Sequence, residues 1–517
     1  MAKKIQITLN FDEDLEVLLK KQFNNFSDYR ILSKSLDGRG ANRGKKPRYH
    51  YGIELIEKGE HFSKFSEKFC QIGAMKKRPI IIGSGPAGLF SALRFCEYGI
   101  PTTLIERGAP AGERMVDIAK FWRYGKLNPE SNVCYGEGGA GLFSDGKLIT
   151  RVKSPYIPYV MQKLVDFGAP DETAYLSNPH LGSNKIRNLI TKLSTYLKER
   201  GHQILYHTKM TELLFDSVNG KKKIVGVRLH DGRELFSDHV ILATGHSAGD
   251  VYKHLQEQEV AMQAKDFAVG VRMEHPRALI DGIQYGCFAG KELGAGRYRL
   301  SYHNKKTDRG TYSFCMCPGG YVLSSGTEVD RIVVNGMSNF SRSSAWSNAA
   351  IVVQVKAGID FAIDDVLSGL TFQREIEKRA FDYSQARATG KEIPAQPMID
   401  FLENRKSKSG SFKSSTPSKT VSANLHDLLP QFISEHLTQS FLNFEQKMGG
   451  LIDSRALLLA PETRTSSPIT VMRDRDSFQS VNIEGLYPCG EGAGYAGGIT
   501  SAAADGVAVT MKIIENL

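Results

Sequence analysis

Three groups of residues in this 517-residue chain have types and spacings that could do chemistry. The first is Gly83-Ser84-Gly85-Pro86-Ala87-Gly88, a G-x-G-x-x-G. It lies between the apolar run Pro79-Ile80-Ile81-Ile82 and a helical pattern at Leu89, Leu93 and Cys96. Gly83 permits the tight turn, Gly85 lets backbone approach a pyrophosphate, and Gly88 allows a helix to pack closely on the strand. Phosphates would sit at the helix N-terminus, where unpaired N–H groups and the dipole favour negative charge. Glu106 closes a second apolar strand, Thr102 to Ile105, at roughly the 20-residue spacing of an acid that binds ribose. With strand, helix, second strand and acid all in place, the stretch reads as a dinucleotide site.

The second group is Glu462 and Arg464 in PETRTSSP. An arginine there could clamp a carboxylate or phosphate in bidentate fashion, and the glutamate could act as acid or base. The alternative is that they pair with each other or with backbone to hold a polar turn, Pro461 to Pro468, ahead of a strand at Ile469 to Met472. The third group is Cys315 and Cys317 in FCMCPGG. On a strand they would share one face, which invites a redox pair; such positions bridge only with distortion, and buried cysteines usually pack as small apolar residues.

These groups need elements to hold them. Residues 1–74 read as a small α/β module: a strand at Ile5 to Leu9, a helix at Asp12 to Phe23, and strands at Tyr29 to Leu36 and Tyr49 to Ile56. After the dinucleotide unit comes YGEGGAGLFSDGKL, Tyr135 to Leu148. Its glycines with Ser144, Asp145 and Lys147 could bring backbone against a planar ring, or form an ordinary loop. A helix at Asn184 to Gly201 precedes a meander of four strands, Gln203–His207, Lys209–Asp216, Lys223–Leu229 and Glu234–Ser237, with Asn219-Gly220 and Asp231-Gly232 as turn dipeptides. The buried strand His239 to Leu242 runs into Ala243-Thr244-Gly245, at the carboxyl edge where open α/β sheets bind ligands. From about Asp266 to Met448 the pattern changes to scattered strands, loops and helices. The division expected is a Rossmann-like nucleotide-binding domain of residues 75–264 and 450–517, with an α+β substrate domain of 265–449 inserted.

A hydrophobic fraction of 41% and a charged fraction of 24% are ordinary for a globular chain. No apolar run approaches the ~20 residues of a membrane span, and MAKKIQITLNFDEDL has no apolar signal core. The seven cysteines lack zinc-ligand spacing, so no metal is expected, and they fit a reducing cytoplasm better than a disulfide framework. The net charge of +11 concentrates at Arg39–Arg48 and Arg405–Lys419. Both stretches are rich in Gly, Ser and Pro and poor in aromatics, which suits solvated loops or anionic substrates better than nucleic acid.

The G-x-G-x-x-G ending in Glu106, the Ala-Thr-Gly at 243–245 and the late Gly490-Glu491 together resemble the two-dinucleotide-binding-domain flavoproteins. More closely, YGEGGAGLFSDGKL, FCMCPGG, PETRTSSP and YPCGEGAGYAGGITSAAADG are similar to a group of bacterial FAD-dependent dehydrogenases of uncharacterised substrate (NAD(FAD)-utilising dehydrogenase-like). The resemblance spans most of the chain. It implies FAD, with Gly83, Gly85, Pro86, Ala87 and Gly88 at the pyrophosphate and Glu106 and Arg107 at the adenosine end. Met210 would meet the adenine, and Ala243, Thr244 and Gly245 would lie beside the cofactor. Gly139, Gly141, Leu142, Ser144, Asp145 and Lys147 would approach the ring. Gly490 and Glu491 would hold the ribityl chain or a phosphate, although the family more often has Asp at 491. Gly497, Gly498, Ile499 and Ser501 would meet the flavin's pyrimidine edge.

The expected activity is hydride transfer between flavin N5 and a small, anionic organic substrate, with Glu462 and Arg464 facing it. NADH or NADPH would bind only transiently, because no second buried-strand G-x-G-x-x-G exists. The rivals are a flavin-dependent oxidase or monooxygenase, a flavoprotein that binds nucleic acid, and a flavoprotein without turnover.

Overall fold

The computed structural model describes residues 3–23, 25–62, 69–218 and 221–517, so the Asn219-Gly220 turn lies outside it. At its centre is a five-stranded parallel sheet ordered Leu486–Pro488, Val240–Leu242, Ile80–Ile82, Thr103–Ile105 and Gln203–Leu205. Each strand has three residues, and nearly all of them are apolar, as a sheet covered on both faces requires. Alternation then sorts the side chains. Ile81, Leu104 and Ile241 pack under the helices Pro86–Glu97, Gly182–Glu199 and Ile499–Glu515. Ile80, Ile82, Val240 and Leu242 point the other way, against Met210, Leu213, Ile224 and Val227 of the antiparallel sheet.

That second layer is Met210–Val218, Lys221–Leu229 and Glu234–Phe236, with Ile483–Glu484 added in parallel. Gln203–Leu205, read from sequence as the first strand of this meander, instead forms the edge of the parallel sheet beside Thr103–Ile105. A three-residue strand carries too little periodicity to show which sheet it joins.

A seven-stranded sheet forms the other half, ordered Ser301–Asn304, Arg309–Cys317, Trp346–Val355, Phe267–Pro276, Leu457–Glu462, Ile393–Pro397 and Thr420–Ser422. Its Val269, Val271, Met273, Ile351 and Leu458 pack beneath Ile433, Leu437, Phe441 and Phe444 of the helix Gln431–Lys447. The alternate residues, Arg272 and Glu274 among them, therefore face away from that helix. Two expectations change here. Pro461 and Glu462 are strand residues rather than part of a turn, and this sheet continues to residue 462, beyond the limit of 449 read from sequence.

The N-terminal module is an antiparallel sheet with Arg48–Ile56 between Lys3–Asn10 and Asp28–Asp37. The helix Leu15–Gln22 lies on it through Leu19, and the Asp14 side chain caps it by accepting from Val17 N at 2.9 Å. No helix among the described residues is long and apolar enough to cross a membrane.

Candidate cofactor and substrate cleft

The parallel sheet and the seven-stranded sheet enclose a cleft of about 330 Å³. On the parallel-sheet side its wall is mostly main chain. The strand Ile80–Ile82 ends at Gly83, whose φ of +104° and close approach to the Ala243 carbonyl leave no room for a Cβ. A Cβ at Gly88 would overlap the Gly83 carbonyl oxygen, so this glycine sets how closely the helix Pro86–Glu97 packs on the strand. That helix starts at Gly85 with Pro86 in its first turn, no side-chain cap and no acid in its first turn. The helix Ile499–Glu515 starts at Gly498 in the same state, also with no acid in its first turn. Two helix N-termini with uncommitted N–H groups thus meet the cleft, and both favour an anionic or electron-rich group. At Gly245, Gly497 and Gly498 a Cβ would find no atom within 4 Å, so backbone is open to the cleft there. These features suit a dinucleotide whose pyrophosphate lies at Gly85–Ala87 and whose ring edge lies at Gly497–Ile499.

Most residues expected at the cofactor line this cleft: Pro86, Ala87, Glu106, Arg107, Gly139, Gly141, Met210, Thr244, Gly490 and Glu491 among them. Gly88, Leu142 and Ser501 do not. Gly88 is a packing residue, and Leu142 is fully buried in the helical core. Ser501 Oγ serves the turn behind the wall, donating to Gly498 O at 3.1 Å and accepting from Gly497 N at 3.2 Å.

Glu106 also differs from expectation. It borders the cleft, but its carboxylate already accepts from Ser84 N, Ser84 Oγ, Gly108 N and Gly136 N at 2.8–3.0 Å. Four donors use its lone-pair sites, so it ties the glycine turn to the 135–138 loop rather than standing free for a ribose. Arg107 stacks on Tyr135 at 4.2 Å and donates to Asp250 at 2.9 and 3.0 Å and to Glu130 at 2.7 Å. Against desolvation, Arg107 and Lys209 hold the Asp250 carboxyl down at about 2. In the loop Tyr135 to Leu148, Ser144 Oγ donates to Gly141 O at 2.8 Å, Asp145 is committed to Arg342 and Ser338, and Lys147 donates to Met316 O.

The opposite wall is built from Phe314, Cys315 and Glu462 of the seven-stranded sheet, Arg464 and Thr465 just after it, and Asn335 of the two-stranded ladder Tyr321–Ser324 with Val334–Met337. Glu462 and Arg464 both reach the cleft, and neither is free nor paired with the other. Glu462 accepts from Arg272 Nε and Nη2 at 2.9 and 2.7 Å, with both residues buried. Arg464 Nε and Nη2 donate to Glu377 at 2.9 and 2.7 Å, and Nη1 donates to Thr327 at 2.7 Å. Burial raises the Glu462 carboxyl, and Arg272 opposes the shift. The bidentate clamp read for Arg464 is thus spent on Glu377, 87 residues away in sequence.

Sequence reading missed one group on the cleft, His246, and one buried behind it, Arg272. His246 follows the Ala-Thr-Gly directly; its Nδ1 lies 2.7 Å from Ser247 Oγ, and burial beside Arg464 pushes it down to about 4. Its position next to that motif was the available signal. Arg272, buried in the second sheet, had none. Glu491 was expected, but its state was not: no hydrogen bond reaches its carboxyl among the described residues, and burial pushes it up to about 7 against the pull of Lys265.

A family profile described as "FAD-dependent protein, C-terminal domain-like" matches residues 266–465, a span that takes in the whole seven-stranded sheet. An uncharacterized protein of Clostridium beijerinckii is 38% identical over 540 residues, covering 100% of this chain and 99% of its own. The chain belongs to this family of FAD-dependent proteins. FAD is therefore its cofactor, and the flavoprotein is an oxidoreductase on a Rossmann-like scaffold. Among solved structures, CtdE in complex with FAD shares 12% identity over 86% of this chain and 84% of that one, with a TM-score of 0.31. The GidA-related protein from Thermus thermophilus shares 9% over 86% and 100%, with a TM-score of 0.30. Neither overlap is close enough to bear on what the flavoprotein does.

Proposed function

We propose that the flavoprotein is a dehydrogenase whose small organic substrate enters between the two walls of the cleft. The observation that carries this reading is the joint lining: glycine backbone and two open helix ends on one side, and Phe314, Cys315, Glu462 and Arg464 on the other. FAD bound along the first wall supplies hydride transfer at its N5. The chain's own part is orientation and proton handling. Gly83, Gly85 and Ala87 take the pyrophosphate, and Gly497, Gly498 and Ile499 support the ring edge. Glu491, with its carboxyl near 7, holds or releases a proton on its carboxylate oxygen at neutral pH. The Arg272–Glu462 and Arg464–Glu377 pairs fix the second wall, so that Glu462 and Arg464 face the substrate in set positions. Lys147, whose hydrogen-bond partner is the Met316 carbonyl rather than a carboxylate, suits an anionic group on the substrate.

Anaerobic reduction tests this. Organic donors, NADH and NADPH are each added to the flavin-loaded protein while its visible absorption is followed. Bleaching by an organic acid or alcohol supports a dehydrogenase; bleaching by NADH or NADPH alone points to a nicotinamide-driven oxidase or monooxygenase. A flavin that no donor bleaches contradicts the proposal.

A further inference from the structure

Cys315 and Cys317 take no part in the account so far, yet Cys315 lies on the cleft wall and Cys317 is buried directly behind it. On a regular strand, residues two apart stand about 6.6 Å from each other, too far for the roughly 3.8 Å between the Cβ atoms of a disulfide. This strand is not regular. The ladder between Arg309–Cys317 and Trp346–Val355 slips between Phe314 and Cys317, and Cys315 sits at the bulge with φ +42°. Left-handed backbone at a bulge is the place of glycine, and a cysteine held there points to a use for its side chain. The slip brings Cys317 Sγ to 3.3 Å from Cys315 O. The bulge carbonyls are held by two cations: Arg272 Nη1 donates to Cys315 O at 3.0 Å, and Lys147 donates to Met316 O.

The surroundings favour a thiolate at the cleft. The Cys317 thiol, then Arg272 and Lys147, holds Cys315 below the ordinary thiol range, against desolvation and Asp145. Cys317 is driven well above it by Cys315 and burial. The other cysteines at the cleft are both pushed up, chiefly by burial, with Glu377 adding to the rise at Cys134 and Asp505 at Cys489. Glu491 lines the same cleft, and the charge of Cys315 adds to the rise of its carboxyl.

We propose that Cys315 and Cys317 form a dithiol–disulfide couple that exchanges electrons with the flavin across the cleft. The proposal rests on the reading that FAD occupies this cleft. In the oxidising direction the Cys317 S–H bond breaks and an S–S bond forms between the two sulfurs. The electron pair they lose, together with the Cys317 proton, converts oxidised flavin to its singly protonated reduced anion. The reverse reaction opens the disulfide and returns the flavin to its oxidised form.

The test is an anaerobic dithionite titration of the flavin-loaded, air-oxidised protein, followed by flavin absorbance. Samples taken along it are alkylated with iodoacetamide, and the tryptic peptide 310–331, whose only cysteines are these two, is weighed. The wild type is expected to take up about four electrons per flavin and the Cys317→Ser variant about two, because each couple carries an electron pair. The peptide is expected to pass from unlabelled to doubly labelled during the titration. The peptide map needs no variant, and Cys315→Ser, at the half-buried position, serves if Cys317→Ser does not fold. Uptake of about two electrons by the wild type, with both cysteines alkylated equally at every stage, overturns the couple and leaves the cleft reading intact. A protein that retains no flavin and cannot be reloaded overturns the cleft reading instead.

Discussion

The two walls of the cleft are made of different material. On the parallel-sheet side the cleft is lined by main chain, in glycine turns and two uncapped helix ends. On the seven-stranded side it is lined by side chains locked by partners far away in sequence, Arg272 with Glu462 and Arg464 with Glu377. Main-chain dipoles are placed by the fold itself, so that wall suits an anionic group such as a pyrophosphate. Paired charges in a sheet must each be matched, so the second wall is where specificity can be built. The contrast also predicts different kinds of fragility: steric on the first wall, electrostatic on the second.

The largest effect belongs to the second wall. Arg272→Met leaves the Glu462 carboxyl buried without its partner, and the expected loss is about 3–5 kcal/mol of unfolding free energy, measured by urea denaturation. Arg272→Met with Glu462→Met should recover most of it; if the double variant is no more stable than the single, the pair is not what holds this wall.

On the first wall, two glycine substitutions separate packing from ligand space. Gly88→Ala drives a Cβ into the Gly83 carbonyl and should cost about 1–3 kcal/mol, seen as a lower melting temperature together with lost flavin. Gly497→Val points into open cleft, so melting of the cofactor-free protein should hold while FAD affinity falls about tenfold or more by fluorescence titration. Equal effects of both on melting would erase the distinction.

Glu491 provides the smaller, pH-dependent effect. Its carboxyl titrates near 7 when folded and near its ordinary value of 4.5 when unfolded. Between these values the folded chain binds more protons than the unfolded one, so stability falls as pH rises through this window and the full cost is present above about 7. The cofactor-free wild type should lose on the order of 2 kcal/mol relative to Glu491→Gln between about pH 5 and pH 8. Parallel pH profiles would mean that the carboxyl is not buried uncharged.

The same contrast explains what was legible in the sequence. The G-x-G-x-x-G, its flanking strands and the Ala-Thr-Gly are local patterns, and each glycine has a local reason, so this wall could be read residue by residue. Leu142 and Ser501 lie among such glycines, and spacing does not say which neighbours of a glycine turn inward. The partners of Glu462 and Arg464 lie 190 and 87 residues away, and only the sheet order brings them together. Glu106 was read correctly as an acid at the strand end, but the Gly136 N–H that occupies it comes from a loop thirty residues on. The Cys315 bulge depends on register against a strand some thirty residues downstream, which no alternation in FCMCPGG reveals.

The most direct test of the central claim is the visible absorption spectrum of the purified protein before and after incubation with excess FAD and removal of the unbound cofactor. The two-walled cleft predicts an oxidised-flavin spectrum that stays with the wild type and is lost from Gly497→Val. A wild-type protein that is colourless and stays so after incubation, or a Gly497→Val variant that keeps its flavin in full, would contradict it.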